Sequence, residues 1–157
     1  MKASPIRDLD KIDRKILEIM QQDGRITMTD LAPMIGLSVT PCTERVRRLE
    51  RDGIISGYHA RLNPHALGLT ALVFMEIRLA SKSESAFREV HETIHSIPDV
   101  LECHMVSSDF DYLLKARLQH IGDYRKLVGS ILERLPAAES RSYVVTEELK
   151  ETLQLTT

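Results

Sequence analysis

The chain has 157 residues, of which 43% are hydrophobic and 4% aromatic, and its formal net charge at pH 7 is −2. This length suits one ordinary domain or two small ones with aliphatic cores. No apolar run reaches the roughly 18 residues of a membrane span, and the N-terminus lacks the apolar core of a secretion signal. Two cysteines make no disulfide framework, so we expect a reduced, cytoplasmic protein.

Three helices are predicted in the first 51 residues. Asp10 can cap the first helix, whose apolar residues recur with a helical period, and Gly24 stands where a C-terminal glycine would end it. Thr27 and Asp30 then form a capping-box pattern at the start of a short second helix. The first two helices are therefore delimited by their own capping residues.

The second helix contains an unfavourable residue. Pro33 lies inside it, where proline removes a hydrogen bond and crowds the preceding turn. We therefore expect the helix to begin late, near Thr29, or to be bent. Its apolar residues Leu31, Met34 and Ile35 are expected to face inward.

Residues 36–51 carry the most informative pattern in the chain. Gly36 suits a tight turn between helices because glycine tolerates positive φ. Ser38 is a good N-cap, and Pro41 is tolerated in a first helical turn. Gly53 then follows as a C-terminal glycine. Three apolar residues recur at i, i+4 and i+7 and define the buried face: Cys42, Val46 and Leu49.

The opposite side of this third helix is polar and cationic. A thin apolar stripe with a cationic outer face is what a DNA major groove accepts, so the pattern predicts a helix-turn-helix that binds duplex DNA. The candidate DNA-binding residues are Ser38, Thr40, Pro41, Thr43, Glu44, Arg47, Arg48 and Arg51. Residues of the first two turns, up to Arg47, are expected at base edges, and Arg48 and Arg51 at phosphates. The alternative is an amphipathic surface helix whose charges are simply solvated.

Charge is unevenly distributed along the chain. Residues 1–62 contain 11 Lys and Arg against 9 Asp and Glu, whereas residues 63–157 contain 10 against 14. The acidic second part is therefore not expected to lie along the phosphate backbone. This asymmetry indicates a small DNA-binding module joined to a domain with another task.

The boundary between these parts is predicted from turn residues. Residues 54–62 are typical of a short strand or strand pair, which would make the first domain winged-helix-like. Asn63 and Pro64 are a turn signal. We therefore assign residues 1–62 to the helix-turn-helix domain, a linker to about 69, and residues 70–157 to a second domain.

The second domain has a β-α-β-β-α-β order, the ferredoxin-like arrangement, so the fold class is α+β. Its predicted elements are strands at 72–79, 100–106, 112–118 and 141–146, and helices at 84–97 and 124–135, the second ended by Pro136. Such a sheet carries helices on one face only, and a second copy of the chain would cover the other.

A polar loop, residues 107–112, joins the two central strands. Asp109 and Asp111, with backbone N–H groups nearby, could hold a small zwitterion through its ammonium and carboxylate groups. The alternative is an ordinary polar hairpin, since Ser and Asp are common turn formers.

Residues 91–95 match the HExxH pattern of zinc hydrolases. His91 and His95 lie at the margin of the apolar face of their helix, and no third ligand is marked by the sequence. We therefore expect no metal site and no enzyme.

The motifs taken together are specific. They are Asp23-Gly-Arg-Ile26, Gly36-Leu-Ser38, Thr40-Pro-Cys42, the run from Glu44 to Arg51, Glu102-Cys-His104, Asp109-Phe-Asp-Tyr-Leu113 and Tyr124-Arg-Lys-Leu127. Over essentially its whole length the chain resembles the leucine-responsive regulatory protein family (Lrp/AsnC, feast/famine) of transcription regulators, nearer the leucine-responsive branch.

This resemblance implies a sequence-specific transcription regulator, with an amino acid effector and no other cofactor. Dimers form through the sheets, often assemble into octamers, and are associated with the nucleoid. The effector, leucine or a similar amino acid, binds between dimers near the 107–112 loop and modulates assembly or DNA affinity. Asp111 is the implied ammonium partner, and the implied ligand-binding set is Met105, Ser107, Ser108, Asp109, Asp111, Val144 and Val145.

One departure from the family pattern bears on that function. Relatives commonly have glycine where Ser108 stands, and if that glycine uses positive φ, Ser108 is strained or the loop is reshaped. The alternative reading is therefore an architectural DNA-binding protein that responds to no effector.

Overall fold

The computed structural model describes residues 8–135 and 137–157. These residues form two units, a helical unit of residues 8–61 with 151–157 and a sheet unit of residues 62–150 apart from 136. No helix in the described ranges is long and apolar enough to cross a bilayer.

The division differs from the sequence-based boundary at residues 151–157, which group with the helices instead of the sheet. Their anchor is the side-chain amide of Gln21. Its Nε2 donates to the carbonyl of Leu155 at 3.0 Å, and the Leu155 amide donates to Gln21 Oε1 at 2.6 Å. Hydrogen bonds between a side chain and a backbone 134 positions away leave no local pattern in the sequence.

The helical unit consists of α1 (Lys11–Gln22), α2 (Met28–Met34) and α3 (Val39–Arg51). Asp10 caps α1 as predicted, because its side chain accepts two amide hydrogen bonds from the first turn at 2.9 and 2.8 Å. Gly24 was wrongly predicted as a C-terminal glycine, since it is not among the glycines with positive φ and α1 ends on an extended residue.

Helix α2 begins at Met28, one residue before the start expected near Thr29. Its seven residues end directly after Pro33, which therefore removes a hydrogen bond only from the last turn. Leu31 and Ile35 are buried as predicted, but Met34 is 50% exposed. Ala32, which was not among the predicted inward residues, is buried.

The turn between α2 and α3 follows from Gly36, whose φ is +72°. The Gly36 amide donates to the Pro33 carbonyl at 3.2 Å, and the Leu37 amide donates to the Ala32 carbonyl at 3.0 Å. This Schellman pair satisfies the last carbonyls of α2. Ser38 then precedes α3 as its N-cap, although its side chain accepts no capping hydrogen bond.

Replacing Gly36 with alanine is expected to destabilise the helical unit by about 1–2 kcal/mol, the cost of a left-handed backbone for a residue with Cβ. The new Cβ meets nothing within 4 Å, so the cost is conformational. Chemical denaturation followed by helical circular dichroism measures it. Gly24→Ala is the control, since its Cβ meets only ordinary contacts. Equal effects of the two substitutions would contradict this account of the turn.

Residues 52–70 contain no strand, so the predicted strand or strand pair at 54–62 was wrong. Gly57 interrupts the run with φ +156°, and the segment pairs with no strand of the described chain. Tyr58 instead donates a hydrogen bond to Glu50 Oε1 at 2.8 Å, and burial raises the pKa of Tyr58 to about 12. The predicted turn is confirmed, because Asn63 Oδ1 accepts from the amides of the two residues after Pro64.

The sheet unit confirms the predicted βαββαβ order. Its elements are β1 (Ala71–Leu79), α4 (Glu84–His95), β2 (Val100–Met105), β3 (Tyr112–Leu118), α5 (Tyr124–Leu132) and β4 (Ala137–Val144). The strands form one antiparallel sheet in the order β2-β3-β1-β4. Strand β4 begins earlier than predicted because pairing with β1 compensates for its poor β-formers. Pro136, predicted to end the preceding helix, lies outside the described residues.

One face of the sheet packs on both helices through Val73, Met75 and Ile77. The alternate side chains of β1 lie on the other face. Glu76 and Arg78 there pair in register with Arg141 and Glu139 of β4, which carry the opposite charges. Glu76 there accepts a hydrogen bond from the Tyr143 hydroxyl at 3.1 Å. The helix-free face is therefore largely polar.

Candidate functional site

All eight candidate DNA-binding residues lie on α3 or its N-cap, away from its buried stripe. Ser38, Thr40, Glu44, Arg47 and Arg51 are exposed, and Pro41, Thr43 and Arg48 are half-buried. The Thr43 hydroxyl donates to the Val39 carbonyl at 2.8 Å, so its oxygen remains available only as an acceptor.

Two of the four arginines on α3 turn inward to a buried carboxylate on α1. Asp13 is fully buried, and its Oδ1 lies 2.7 Å from Arg45 Nη1 and 3.2 Å from Arg48 Nη2. Arg45 Nη1 also lies 2.6 Å from Asp10 Oδ2. Hydrogen bonds to Asp10 and Asp13 raise the pKa of Arg45, while the Asp13 amide and Arg45 lower the pKa of Asp10.

This cluster changes the role expected of Arg48, whose guanidinium is tied to Asp13 and does not point freely at phosphate. Sequence reasoning missed Asp13 and Arg45. Asp10 and Asp13 are three residues apart, as Arg45 and Arg48 are on α3, but this spacing alone does not say that the two pairs meet.

Arg47 and Arg51 supply the outward cationic charge of α3. Arg47 is exposed and forms no ion pair within the described ranges. Arg51 is 74% exposed at its side chain, and its Nε lies 3.9 Å from Asp52 Oδ1, a loose surface contact. These two side chains can therefore reach a duplex without first breaking a buried interaction.

In the 107–112 loop, Asp111 is already bound within the chain. Its Oδ2 accepts from the Leu79 amide at 2.9 Å, and its Oδ1 lies 2.8 Å from Lys82 Nζ. Lys82 and the Leu79 amide lower the pKa of Asp111. The β1–β4 register shifts between Arg78 and Leu79, so the regular strand pairing is interrupted at the amide that Asp111 binds. The carboxylate expected to receive an effector ammonium thus caps this irregularity.

The neighbouring loop residues are more open. Ser107, Ser108 and Asp109 are exposed, and the Ser108 hydroxyl donates to Asp109 Oδ1 at 2.8 Å. That hydrogen bond is the main cause that lowers the pKa of Asp109. No non-glycine residue of the described ranges has positive φ, so of the two expected consequences of Ser108, strain or a reshaped loop, left-handed strain is excluded.

A small open pocket lies beside Asp109 on the helix-free face. Its lining is Glu76, Arg78, Asp109, Phe110, Glu139, Ser140 and Arg141. Both signs of charge are present, as a site for a zwitterion requires. Sequence reasoning missed the β1 and β4 members, whose signal was the alternation of charged residues along each strand.

The predicted ligand-binding residues do not all meet within one chain. Met105 pairs with Tyr112 beside the loop and is exposed. Val144, however, pairs with Val73, four residues along β1 from Ile77, whose carbonyl accepts from the Asp111 amide. At roughly 3.3 Å per residue that separation is about 13 Å. Val144 and Val145 therefore line the opposite end of the sheet, since antiparallel β4 runs away from the loop.

The HExxH segment lies on the outside of α4. His91 and His95 are both exposed. Across the residues that the structure describes, no three His, Cys, Asp or Glu side chains cluster as metal ligands would.

Two family models match the chain. Residues 9–56 match winged helix-turn-helix DNA-binding, and residues 72–155 match the Lrp/AsnC ligand binding domain. The leucine-responsive regulatory proteins of Escherichia coli K12 and Klebsiella pneumoniae are each 50% identical to it over 155 residues, covering 98% of this chain and 94% of theirs.

Solved structures share the whole fold. An AsnC family transcriptional regulator from Agrobacterium tumefaciens has a TM-score of 0.90 and 34% identity, covering 94% of this chain and 96% of its own. A transcriptional regulator from Neisseria meningitidis in complex with L-Met has a TM-score of 0.90 and 31% identity, and it also covers 94% of this chain and 96% of its own. The feast or famine regulatory protein of M. tuberculosis complexed with L-methionine has a TM-score of 0.87 and 30% identity, covering 96% of this chain and 100% of its own.

Proposed function

The chain belongs to the Lrp/AsnC family of transcription regulators, and on that premise we propose how its residues bind DNA and an amino acid effector. The observation that carries the DNA proposal is the exposed polar face of α3 behind the Gly36 turn. Thr40, Glu44 and Arg47 meet base edges, and Arg51 meets phosphate.

Two copies of the chain pair through their sheets and present two α3 helices to half-sites about one helical turn, or ~34 Å, apart. Larger assemblies of such dimers, octamers among them, bring several helices to one stretch of DNA. Association with the nucleoid follows from this mode of binding. The self-complementary surface in this proposal is the sheet face that carries Glu76 and Tyr143.

The effector in this proposal is leucine, methionine or a similar amino acid, bound beside the 107–111 loop. Arg78 and Arg141 attract its carboxylate. Asp109 is the ammonium partner, because its carboxylate is exposed and lines the pocket. Asp111 orients the loop, and Met105 and Phe110 contact the apolar side chain of the effector. Val144 and Val145 lie at the opposite end of the sheet, so they can contact the effector only from another copy of the chain.

A titration with matched ligand fragments tests the effector site. L-leucine and L-methionine are expected to raise the thermal midpoint, by the equivalent of about 2.7 kcal/mol at one hundred times Kd. 4-Methylpentanoate lacks the ammonium group and 3-methylbutylamine lacks the carboxylate, so neither should shift it. Sedimentation velocity on the same samples reports any change of assembly.

The variant Asp109→Asn is expected to lose the response to leucine, whereas Glu147→Gln, an exposed carboxylate outside the pocket, should keep it. An equal response to leucine and to 3-methylbutylamine would contradict recognition of a zwitterion. If no amino acid shifts the thermal midpoint, the result would instead favour an architectural DNA-binding protein.

A further inference from the structure

The four charges that join α1 to α3 cancel one another. Asp10 and Asp13 contribute two negative charges, and Arg45 and Arg48 contribute two positive ones within 2.6–3.3 Å. Half of the arginines on the DNA-facing helix are thus neutralised inside the protein. The outward charge of α3 comes from Arg47 and from Arg51, whose ion contact with Asp52 Oδ1 is a loose approach at 3.9 Å.

We infer that Asp13 is a positioning residue for DNA recognition, which withholds Arg45 and Arg48 from phosphates and so limits sequence-independent affinity. The inference rests on the proposed binding of DNA by α3. Phosphate contacts by Lys and Arg supply affinity without sequence choice, so fewer free arginines leave more of the binding to base edges.

Stability alone does not account for this cluster. Helices α1 and α3 already pack through fully buried Ile16 and Leu49. Apolar side chains of similar volume hold helices together as well as a buried ion pair does, because a buried pair must repay the desolvation of its charges. A buried carboxylate that binds two arginines does something that an apolar residue cannot: it fixes where their guanidinium groups lie.

The two arginines are not held equally. Arg45 contacts both carboxylates at 2.6 and 2.7 Å, whereas Arg48 meets only Asp13, at 3.2 and 3.3 Å. The buried Nε of Arg48 has no hydrogen-bond partner in the described part of the chain. Arg48 is therefore the more weakly held, and removing the Asp13 charge releases it first.

The test compares the salt dependence of binding to a random-sequence duplex. For Asp13→Asn, release of both arginines is expected to steepen the slope of log affinity against log salt by up to about 1.8 per protomer. Between 50 and 200 mM salt this adds roughly a tenfold loss of affinity per protomer, with tighter binding at the low-salt end. Preference for a duplex selected on the wild-type protein should fall.

Two further variants identify the cause. The triple variant Asp13→Asn, Arg45→Gln, Arg48→Gln should return to the wild-type slope. Glu18→Gln removes one exposed carboxylate from α1 without releasing an arginine and should leave the slope near that of the wild type. If Asp13→Asn weakens both duplexes equally with an unchanged slope, Asp13 is only structural and the inference is overturned.

Circular dichroism shows whether Asp13→Asn folds, and Arg48→Gln carries the test if it does not. Arg45 still balances Asp13 in that variant, and Arg48 meets no phosphate in the wild type, so the salt slope should stay that of the wild type. A slope lower by about 0.9 per protomer would show that Arg48 already contacts phosphate and would overturn the inference. Failure of the wild-type protein to bind any duplex would instead contradict the proposed function.

Discussion

Replacing Asp111 with alanine is expected to destabilise the sheet unit by about 3 kcal/mol, because the Leu79 amide loses a charged acceptor in a largely buried position. Chemical denaturation followed by circular dichroism measures the loss. Hydrogen exchange locates it, since the Leu79 amide should lose protection before the amides in the middle of β1. Effector binding should fall as well, because the loop is no longer fixed against the sheet.

Lys82→Met is the matched control. The Lys82 side chain is 66% exposed, and a surface ion pair contributes only about 0–1 kcal/mol. If Lys82→Met costs as much as Asp111→Ala, the ion pair and not the bond to Leu79 stabilises the loop.

Acid should remove the same contribution. The pKa of Asp111 is lower in the folded chain than in the unfolded one, so its stabilisation is complete above the ordinary carboxyl pKa and is lost as pH falls through the lowered value. Asp111→Asn should therefore be less stable than the wild type near neutral pH and approach it in acid. A difference that stays constant across this range would contradict the assignment.

Replacing Arg47 with alanine is expected to lower affinity for a selected duplex by about 5- to 150-fold, the equivalent of about 1–3 kcal/mol for a base contact. Arg47 is exposed and outside every ion pair of the described ranges, so folding should not change. Electrophoretic mobility shift at physiological salt measures the loss. Selection repeated on the variant should show relaxed preference at one position of each half-site.

Arg51→Ala is the comparison within the same helix. It is expected to weaken selected and random duplexes equally and to reduce the salt slope by about 1. Identical behaviour of the two variants would contradict the docking, in which only the first turns of α3 read bases.

Local patterns predicted the elements that local physics determines. The i, i+4, i+7 stripe of α3 and the Gly36 turn are formed by residues close in sequence, and both were found as expected. Runs of β-forming residues bounded by turns likewise predicted the four strands. The order of the elements then determined the antiparallel sheet.

What could not be predicted depends on distant partners. Asp13 and Arg45 are separated by 32 positions, and Asp111 and Leu79 also by 32. Nothing in a local window indicates that a helical aspartate will be buried against arginines, or that a loop aspartate will cap a register shift. The distance of Val144 from the loop within one chain had the same origin, because the position of Val144 depends on the direction of β4 and not on its own neighbours.

The return of residues 151–157 to the helices makes the sheet unit an insertion within the helical one. The backbone passes between the units twice, near 61–62 and again near 150–151. During synthesis the ribosome must also complete the inserted module before the last segment can dock on Gln21, so the DNA-reading module is the last to be finished.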